Sequence, residues 1–181
     1  MERRTILKAA GVFITTGISV SQAKEKPMEL ATLQGEWRTY LPDDFEAPSA
    51  DDQLELDSAA WRERLAPEAF AVLRKEDTER AGTSPLDGEK RRGVFVCAGC
   101  DLPLFTSAMK FDSGTGWPSF FTHIPGSLAT KKDFKLVWPR TEYHCARCGG
   151  HQGHVFNDGP PPTGERWCNN GVALRFLPAD A

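Results

Sequence analysis

The sequence predicts a small antiparallel β domain that follows two short helices. From residue 93 onward, short runs rich in β-branched and aromatic residues alternate with clusters of Gly, Pro, Asp and Asn at close intervals. The segment between residues 58 and 73 instead carries apolar residues at helical spacing. Many short strands separated by turns are typical of antiparallel sheets, so we assign a mainly β fold class.

Composition limits the function classes. The chain has 181 residues, close to one domain, and a formal net charge of −3. General nucleic-acid binders normally carry a basic excess, so we expect no nucleic-acid partner. No apolar run reaches the 18 residues that a spanning helix needs, so we expect no stable membrane insertion. Hydrophobic residues make up 40% of the chain, enough to bury a core.

Residues 1–23 form a candidate export signal and are excluded from the fold prediction. Arg3 and Arg4 begin a charged segment, residues 9–20 are apolar, and Ser21-Gln22-Ala23 is a small-x-small cleavage sequence. The two arginines followed by x-Ile-Leu-Lys resemble a twin-arginine signal. The alternative, an amphipathic first helix, is disfavoured because the segment has no polar stripe at helical period. We therefore expect a periplasmic protein.

The next two segments are an arm and a helical pair. Residues 24–57 are polar and read as an N-terminal arm or linker, partly held by scattered aromatic residues. A helix is predicted from Ser58, its candidate cap, and Pro67 ends it and begins a second helix, where proline is tolerated. Residues 82–88 read as a loop.

The predicted domain, residues 58–178, is completed by short strand-like pieces. They comprise residues 94–96, 102–105, 136–138, 154–156 and 172–176.

Four of the five cysteines form two C-x-x-C pairs, Cys97/Cys100 and Cys145/Cys148. Two thiolates at that spacing on a tight turn can aim at one point, and two such turns complete the tetrahedral site that structural zinc prefers. We therefore predict a structural zinc ion that clips two distant parts of the domain together. Such a closed site has no open position for catalysis.

Two alternatives for these pairs stay open at this point. The pairs can form disulfides, which an oxidising compartment permits, or one pair can be a thioredoxin-like redox motif. The second alternative expects a helix directly after the motif, and neither stretch has a helical continuation.

Cys168 is the fifth cysteine, and any complete pairing leaves one thiol over. It stands in a polar stretch with Arg166 nearby, a charge that can lower a thiol pKa. His151, His154 and Asp158 lie upstream, and a cysteine nucleophile usually works with a histidine. In an extended segment the two histidines would point to opposite faces, although Gly153 can change this. The alternative is an ordinary buried cysteine.

Several ordered motifs together resemble the B-type methionine sulfoxide reductases. The resemblance covers residues 58–178. Its motifs are Leu65-Ala66-Pro67-Glu68, Thr78-Glu79-Arg80, Cys97-Ala98-Gly99-Cys100-Asp101-Leu102-Pro103-Leu104-Phe105, Ser113-Gly114-Thr115-Gly116-Trp117-Pro118-Ser119-Phe120, Cys145-Ala146-Arg147-Cys148, residues 151–160 beginning His151-Gln152-Gly153-His154, and residues 162–170 ending Arg166-Trp167-Cys168-Asn169-Asn170.

The resemblance implies two antiparallel sheets, zinc on the C-x-x-C pairs, and reduction of the R epimer of methionine sulfoxide in oxidised proteins or peptides, a repair of oxidative damage. It assigns the nucleophile to Cys168, with His154, His151 and Asn170 as further catalytic residues. The resemblance implies that Trp117 is the pocket tryptophan. We also expect Asp158, Arg166 and Phe156 to bind the substrate. Trp117 can also be a core residue, and Asp158 before Gly159-Pro160 can be ordinary turn chemistry.

In the implied reaction the Cys168 thiolate attacks the sulfoxide sulfur while His154, supported by His151, protonates the oxygen. Trp117 offers an apolar face to the methyl group. The product on Cys168 is a sulfenic acid. Many family members carry a resolving cysteine where this chain has Thr115, so we expect an external thiol or a thioredoxin-like partner to reduce the sulfenic acid. Gly171 also departs from the family's frequent Ser. We expect a monomer.

Two other function classes compete with this prediction. A zinc-stabilised binding module would lose little on Cys168→Ser, and a thiol-disulfide oxidoreductase would lack zinc and use Cys97 or Cys100 as its redox-active thiol.

Overall fold

The computed structural model describes residues 29–133 and 140–180. Predictions for residues 1–23 and for a strand at 136–138 lie outside the described residues. Within them, no helix is long and apolar enough to cross a membrane. The described helices and strands are α1 (Leu30–Gly35), α2 (Ser58–Arg64), α3 (Pro67–Lys75), β1 (Gly93–Cys97), β2 (Pro103–Thr106), β3 (Lys110–Phe111), β4 (Ser119–Phe120), β5 (Leu128–Asp133), β6 (Arg140–Cys145), β7 (His151–Phe156), β8 (Arg166–Asn169) and β9 (Leu174–Pro178).

The described strands form two antiparallel sheets, which confirms the mainly β prediction. One sheet has three strands in the order β2-β1-β9, and the other has six in the order β3-β4-β8-β7-β6-β5. Aromatic rings from both sheets meet in the core: Phe105 stacks on Phe120 with ring centroids 3.9 Å apart, and Phe95 meets Phe120 edge-on at 5.0 Å.

Both predicted helices are present, but the predicted cap of α2 is wrong by one residue. Asp57, not Ser58, is the cap, because its carboxylate accepts the backbone N–H groups of Ala59 and Ala60 at 2.9 Å. Pro67 starts α3 at the first helical position, as predicted.

The arm before residue 58 folds onto the domain. It contains the short helix α1, which was not predicted, and a 3-10 turn at Trp37–Tyr40. Tyr40 is buried against Val94 and Val96, and the Arg92 guanidinium lies 4.0 Å from its ring centroid. Gln34 donates to the Thr122 hydroxyl at 2.8 Å.

A β-bulge in β7 changes the direction of its side chains. Tyr143 pairs with Gly153 and His144 pairs with His151, so Gln152 is an extra residue without an opposite partner on β6. In a regular strand, the side chains of His151 and His154 would point to opposite faces of the sheet. The extra residue shifts this alternation by one position, so both side chains point to the same face. Their rings therefore lie close, with centroids 5.5 Å apart.

Candidate active site and metal centre

The four cysteines of the C-x-x-C pairs come together in one buried cluster. Their sulfur atoms all lie within 4.8 Å of one another. The Sγ atoms of Cys97 and Cys148 are 3.7 Å apart, and those of Cys100 and Cys145 are 3.5 Å apart. A tetrahedral ion with bonds of about 2.3 Å to sulfur requires sulfur atoms roughly 3.8 Å apart. The donor set and its spacing therefore fit one metal ion.

This geometry decides between the earlier alternatives for the pairs. None of the five cysteines is joined in a disulfide, either within a C-x-x-C pair or between the pairs. The shortest sulfur separations between the pairs, 3.5 and 3.7 Å, are far beyond a disulfide bond of about 2 Å. Cys97 and Cys145 each end a strand, and each motif turns directly toward the next strand. No helix begins at either motif, unlike a thioredoxin-like pair.

Arginine side chains hold the two cysteine turns in place. Arg64 from α2 donates to the Gly99 carbonyl at 2.6 Å, and Arg74 from α3 donates to the Cys148 carbonyl at 2.8 Å. Arg147 joins the turns, because its guanidinium donates to the Cys100 carbonyl at 2.7 Å. These cations can also offset the negative charge that four thiolates would carry around a metal ion.

A cavity of about 130 Å³ lies against the paired strands β7 and β8. It is smaller than the roughly 300 Å³ or more of a drug-sized site, so it suits the tip of one side chain. Its lining residues are Thr78, Trp117, Arg140, Gly153, His154, Phe156, Cys168, Asn169 and Asn170. Five residues singled out in the sequence thus meet here: Trp117, His154, Phe156, Cys168 and Asn170.

Cys168 lies on β8, directly opposite Ser119 on β4 and opposite His154 on β7. Burial raises the pKa of its thiol above the usual value, and the positive charge of Arg166 opposes that effect. Only the effect of Arg166 could be predicted from the sequence. The effect of burial on this pKa is larger than the effect of Arg166, so the thiolate form needs further stabilisation from neighbouring groups.

Hydroxyl groups supply part of that stabilisation. The side chains of Thr115 and Ser119 hydrogen bond to Cys168 and lower its pKa. Ser113 orders both, because its hydroxyl lies 2.8 Å from that of Thr115 and 2.9 Å from that of Ser119. The three hydroxyls form one cluster beside the Cys168 sulfur.

His154 is held by a carboxylate that lies outside the sequence motifs. Its Nε2 lies 3.0 Å from Oδ2 of Asp133, the same oxygen that accepts from Arg140 at 2.8 Å. Burial lowers the pKa of His154, while the hydrogen bond to Asp133 raises it and the charge of Arg140 lowers it. The imidazole therefore has a lowered pKa.

His151 lies behind His154 and outside the cavity lining. Its Nδ1 lies 2.8 Å from Oε1 of the buried Glu142, whose second oxygen is 3.2 Å from the ammonium of Lys131. The Nε2 atom of His151 is buried and has no hydrogen-bond partner among the described residues. The Glu142 carboxylate fixes the ring orientation.

Trp117 and Asn170 are connected through one loop. The Trp117 indole N–H donates to the Glu79 carbonyl at 2.9 Å, and the Asn170 side-chain oxygen accepts the Glu79 N–H at 2.9 Å. The Asn170 amide also donates to the Gln152 carbonyl at 2.9 Å. Both polar ends of Asn170 thus hold backbone that surrounds the cavity.

Asp158 and Arg166 pair with each other. Two hydrogen bonds of 2.8 and 2.9 Å join the guanidinium to the carboxylate, and the same guanidinium lies 4.3 Å from the Phe156 ring centroid. Asp158 is 62% exposed, and neither residue is among those that line the cavity. This pair braces Phe156, which does line it.

Gly153 allows β7 and β8 to approach closely at the floor of the cavity. A Cβ atom at this position would lie 1.9 Å from the carbonyl oxygen of Cys168. Only glycine fits this close approach.

Asp133, Arg140, Thr78 and Asn169 also belong to the site, although no role was predicted for them from the sequence. Asp133 and Arg140 stand 21 and 14 residues before His154, outside the C-x-x-C and histidine motifs. Thr78 is the first residue of one of the motifs that carry the resemblance, and Asn169 directly follows Cys168. The sequence therefore contained a signal for both residues.

Comparison with known proteins agrees with this geometry. A family model described as the SelR domain matches residues 65–178. The peptide methionine sulfoxide reductase MsrB of Agrobacterium fabrum is 50% identical over 121 residues, covering 66% of this chain and 90% of that protein. MsrB of Pseudomonas putida is 51% identical over 121 residues, covering 66% of this chain and 91% of that protein.

The similarity also reaches into the arm. The chloroplastic peptide methionine sulfoxide reductase B1 of Arabidopsis thaliana is 39% identical over 159 residues, covering 87% of this chain and 79% of that protein. That share of the chain exceeds residues 58–181 alone. The matched domain and these identities show that the chain belongs to the B-type (MsrB) family of peptide methionine sulfoxide reductases, a family of oxidoreductases.

Proposed function

We propose that this protein reduces the R epimer of methionine sulfoxide in oxidised proteins or peptides, with Cys168 as the nucleophile. One observation carries the proposal: Cys168 lines a cavity sized for a side-chain tip and lies opposite His154. Family membership supports the reaction class, and the geometry supports the roles of the individual residues.

The first step transfers oxygen from the sulfoxide to Cys168. The thiolate forms a bond to the sulfoxide sulfur while His154 protonates the sulfoxide oxygen, which avoids a poor oxyanion leaving group. The S–O bond then breaks and the hydroxyl group passes to the Cys168 sulfur. The transient S–S bond breaks at the same time and releases the thioether. The products are methionine and the Cys168 sulfenic acid, so methionine sulfur is reduced by two electrons and cysteine sulfur is oxidised by two. The proposed supporting role of His151 is consistent with its buried Nε2, which has no hydrogen-bond partner among the described residues, and with its ring centroid 5.5 Å from that of His154.

The cavity walls supply a basis for epimer choice. Trp117 provides a rigid apolar face, fixed by its indole hydrogen bond to Glu79, and Phe156 provides a second ring. Arg140, His154 and the hydroxyls beside Cys168 are polar. A pyramidal sulfoxide can put its methyl on the ring face and its oxygen on the polar side in only one configuration when the chain direction is fixed.

We further propose that an external thiol, free or on a thioredoxin-like protein, reduces the sulfenic acid. The chain has five cysteines, and four belong to the buried cluster. Thr115, at the position of the family's frequent resolving cysteine, puts a hydroxyl beside Cys168. The first donor thiol forms a mixed disulfide and releases water, and a second thiol releases the Cys168 thiol.

Zinc is the metal that we propose for the four-cysteine cluster. Tetrahedral four-sulfur sites hold either zinc or iron, and a closed structural site of mononuclear type favours zinc. Its role is to join the two turns, because all four ligands come from protein. Metal analysis of the purified protein should give one zinc per chain, and an equal amount of iron instead would reject this assignment.

The activity test uses the separate R and S epimers of a methionine sulfoxide peptide with dithiothreitol as reductant. Wild type should reduce only the R epimer, and Cys168→Ser should lose at least about a thousandfold in kcat with its metal content unchanged. A metal-loaded wild type that reduces neither epimer would reject the proposal and favour a binding module. Equal reduction of both epimers would reject the stereochemical part alone.

The recycling route has its own test. After one turnover without reductant, dimedone should label Cys168 of the wild type, because dimedone traps sulfenic acids. Thr115→Cys introduces a thiol beside Cys168, so the label should be replaced by an internal disulfide in that variant. A wild type that forms an internal disulfide after turnover would contradict the proposed route.

We also propose export to the periplasm through the twin-arginine route, supported by the sequence of residues 1–23. A bacterial host that expresses the full chain should contain the protein in its periplasmic fraction. Arg3→Lys combined with Arg4→Lys should retain the protein in the cytoplasm. Export that is unaffected by both changes would contradict this route.

A further inference from the structure

We propose that Gln152 is a positioning residue that links the metal-binding thiolate of Cys97 to the strand carrying Cys168. The part that concerns catalysis rests on the proposed function. The part that concerns the metal thiolate stands on the geometry of the four-cysteine cluster. The sequence analysis did not predict this link, because Gln152 stood there only as one residue of the His151-Gln152-Gly153-His154 motif, with no role of its own.

The Gln152 side chain is fully buried and uses both ends of its amide. Its Nε2 donates to Cys97 Sγ at 3.3 Å, and its Oε1 accepts from the Asn169 amide at 3.2 Å. A buried amide of this kind is costly unless it is satisfied. The side chain therefore spans from the metal cluster to the residue that directly follows Cys168.

The backbone of Gln152 contacts the same strand end. Its carbonyl accepts the backbone N–H and the side-chain amide of Asn170, both at 2.9 Å. Gln152 thus holds Asn169 through its side chain and Asn170 through its backbone. Since both residues line the cavity, the position of Gln152 sets the geometry immediately after Cys168.

The bulge explains why this residue reaches inward. Gln152 is the extra residue in β7, where Tyr143 pairs with Gly153 and His144 pairs with His151. Bulges redirect a side chain that regular alternation would aim elsewhere. The same device brings His151 and His154 together, so one irregularity serves both the proton donors and the metal cluster.

Asn169 continues this buried hydrogen-bond network on the side of Gln152 that faces away from Cys97. Its side-chain oxygen accepts the Tyr143 hydroxyl at 2.8 Å, and its amide also donates to the Asn170 carbonyl at 2.8 Å. If Gln152 is replaced by an apolar residue, the Asn169 amide keeps its Asn170 partner. The substitution then removes mainly the N–H hydrogen bond to Cys97. It also removes the side-chain connection between the metal cluster and the strand that carries Cys168.

Outer hydrogen bonds to metal ligands fix ligand orientation, and their loss typically costs 10–100-fold in metal affinity or activity. An N–H donated to a thiolate also withdraws electron density from sulfur. Removing it should shift sulfur-to-metal charge-transfer absorption to lower energy. This spectroscopic change distinguishes a contact with the thiolate from a general loss of packing.

The experiment compares the wild type with Gln152→Leu and Gln152→Met, both close in size to glutamine. Gln34→Leu is the matched control, because it removes a glutamine amide that donates to the Thr122 hydroxyl and the His123 carbonyl and to no cysteine. The first readout is zinc release to a coloured chelator. The second is the charge-transfer band of the cobalt-substituted protein, and the third is the alkylation rate of Cys168.

Both Gln152 variants should release zinc roughly 10–100-fold faster than wild type. Their cobalt charge-transfer band should move to lower energy, and the alkylation rate of Cys168 should change at least about threefold. Gln34→Leu should match wild type in all three. Tyr143→Phe, which leaves the Cys97 bond intact, should leave zinc release and the cobalt band unchanged.

Unchanged zinc release and an unchanged cobalt band in both Gln152 variants would overturn the proposal. Faster zinc release without any change at Cys168 would overturn the link between the sites. Failure of both variants to fold with bound metal would also contradict it, since a positioning role leaves the fold intact. None of these readouts needs turnover, so they remain decisive even if the wild type reduces no sulfoxide.

Discussion

His154 stands directly opposite Cys168 in the register between β7 and β8. The two residues are 14 positions apart in sequence, and the antiparallel pairing makes them neighbours. Facing residues in such a pair have Cβ atoms about 5 Å apart. This pairing puts a titratable imidazole beside the thiol. The first prediction therefore concerns the pKa of His154.

Asp133→Asn should move the pH dependence of the reaction to lower pH. The carboxylate raises the pKa of His154 against the effect of burial, so its loss should lower that pKa further. If protonated His154 is the acid, kcat/KM falls as pH rises through its pKa, and the fall should begin earlier in the variant. The measurement is kcat/KM for the R epimer from pH 5 to 9.

The control for this change is Asp44→Asn, an exposed carboxylate in the arm. It should keep the wild-type profile. A profile of Asp133→Asn that coincides with that of the wild type would remove His154 from the role of acid.

Thr115→Val and Ser119→Ala should each make the Cys168 thiol less reactive near neutral pH. Both hydroxyls lower its pKa while burial raises it. Without either donor the pKa rises, and a rise of one pH unit in that pKa reduces the thiolate fraction about tenfold. We expect alkylation by iodoacetamide at pH 7.5, followed at Cys168 by mass spectrometry, to slow at least about threefold. Thr130→Val on the exposed face of β5 is the control, and faster alkylation in either hydroxyl variant would contradict this prediction.

Removal of the metal should destabilise the domain strongly. The cluster joins the turn after β1 to the turn after β6, 45 residues apart from Cys100 to Cys145. Structural metal sites contribute several kcal/mol or more to folding, and a chain of this size loses roughly 2–4 °C of Tm per kcal/mol. Chelation or Cys145→Ser should therefore lower Tm by at least about 10 °C. An unchanged Tm after verified metal loss would show that the turns hold without it.

Tyr40→Ala should weaken the fold and leave the chemistry intact. The ring is buried against Val94 and Val96 on β1 and is covered by Arg92. Truncation of a buried aromatic typically costs about 3–5 kcal/mol. We expect a lower midpoint in urea unfolding with unchanged kcat/KM, and Thr39→Ala as the exposed neighbouring control should change neither. An unaffected midpoint would mean that the arm contributes nothing to stability.

Much of the fold could be predicted where the pattern is local. The helix break at Pro67 and the strand beginning near residue 94 follow from proline geometry and from β-branched residues. Strand β5 was missed because its residues are mostly polar and exposed at the edge of the sheet. Strand β4 has only two residues, too few for any periodic signal.

The residues of the site also divide into those that have a local signal in the sequence and those that have none. The residue types and spacing of the four cysteines indicate a metal site by themselves. The roles of Cys168, His154 and Trp117 were instead implied by the family resemblance of the motifs in which they stand. Asp133 stands in no such motif, because its role comes from the pairing of β5, β6 and β7 at one end of the sheet. The role of Gln152 depends on a bulge, and one extra residue in a strand leaves no trace in composition.

The close approach at Gly153 has a consequence for how substrate range can diversify. Any side chain at this position would collide with the backbone of Cys168, so the floor of the cavity cannot be remodelled by substitution. The rim has more freedom, because Thr78, Arg140 and Phe156 reach it from three separate segments. We therefore expect a change of sulfoxide substrate to come from substitutions at the entrance, while the backbone beneath the proposed nucleophile Cys168 stays constant.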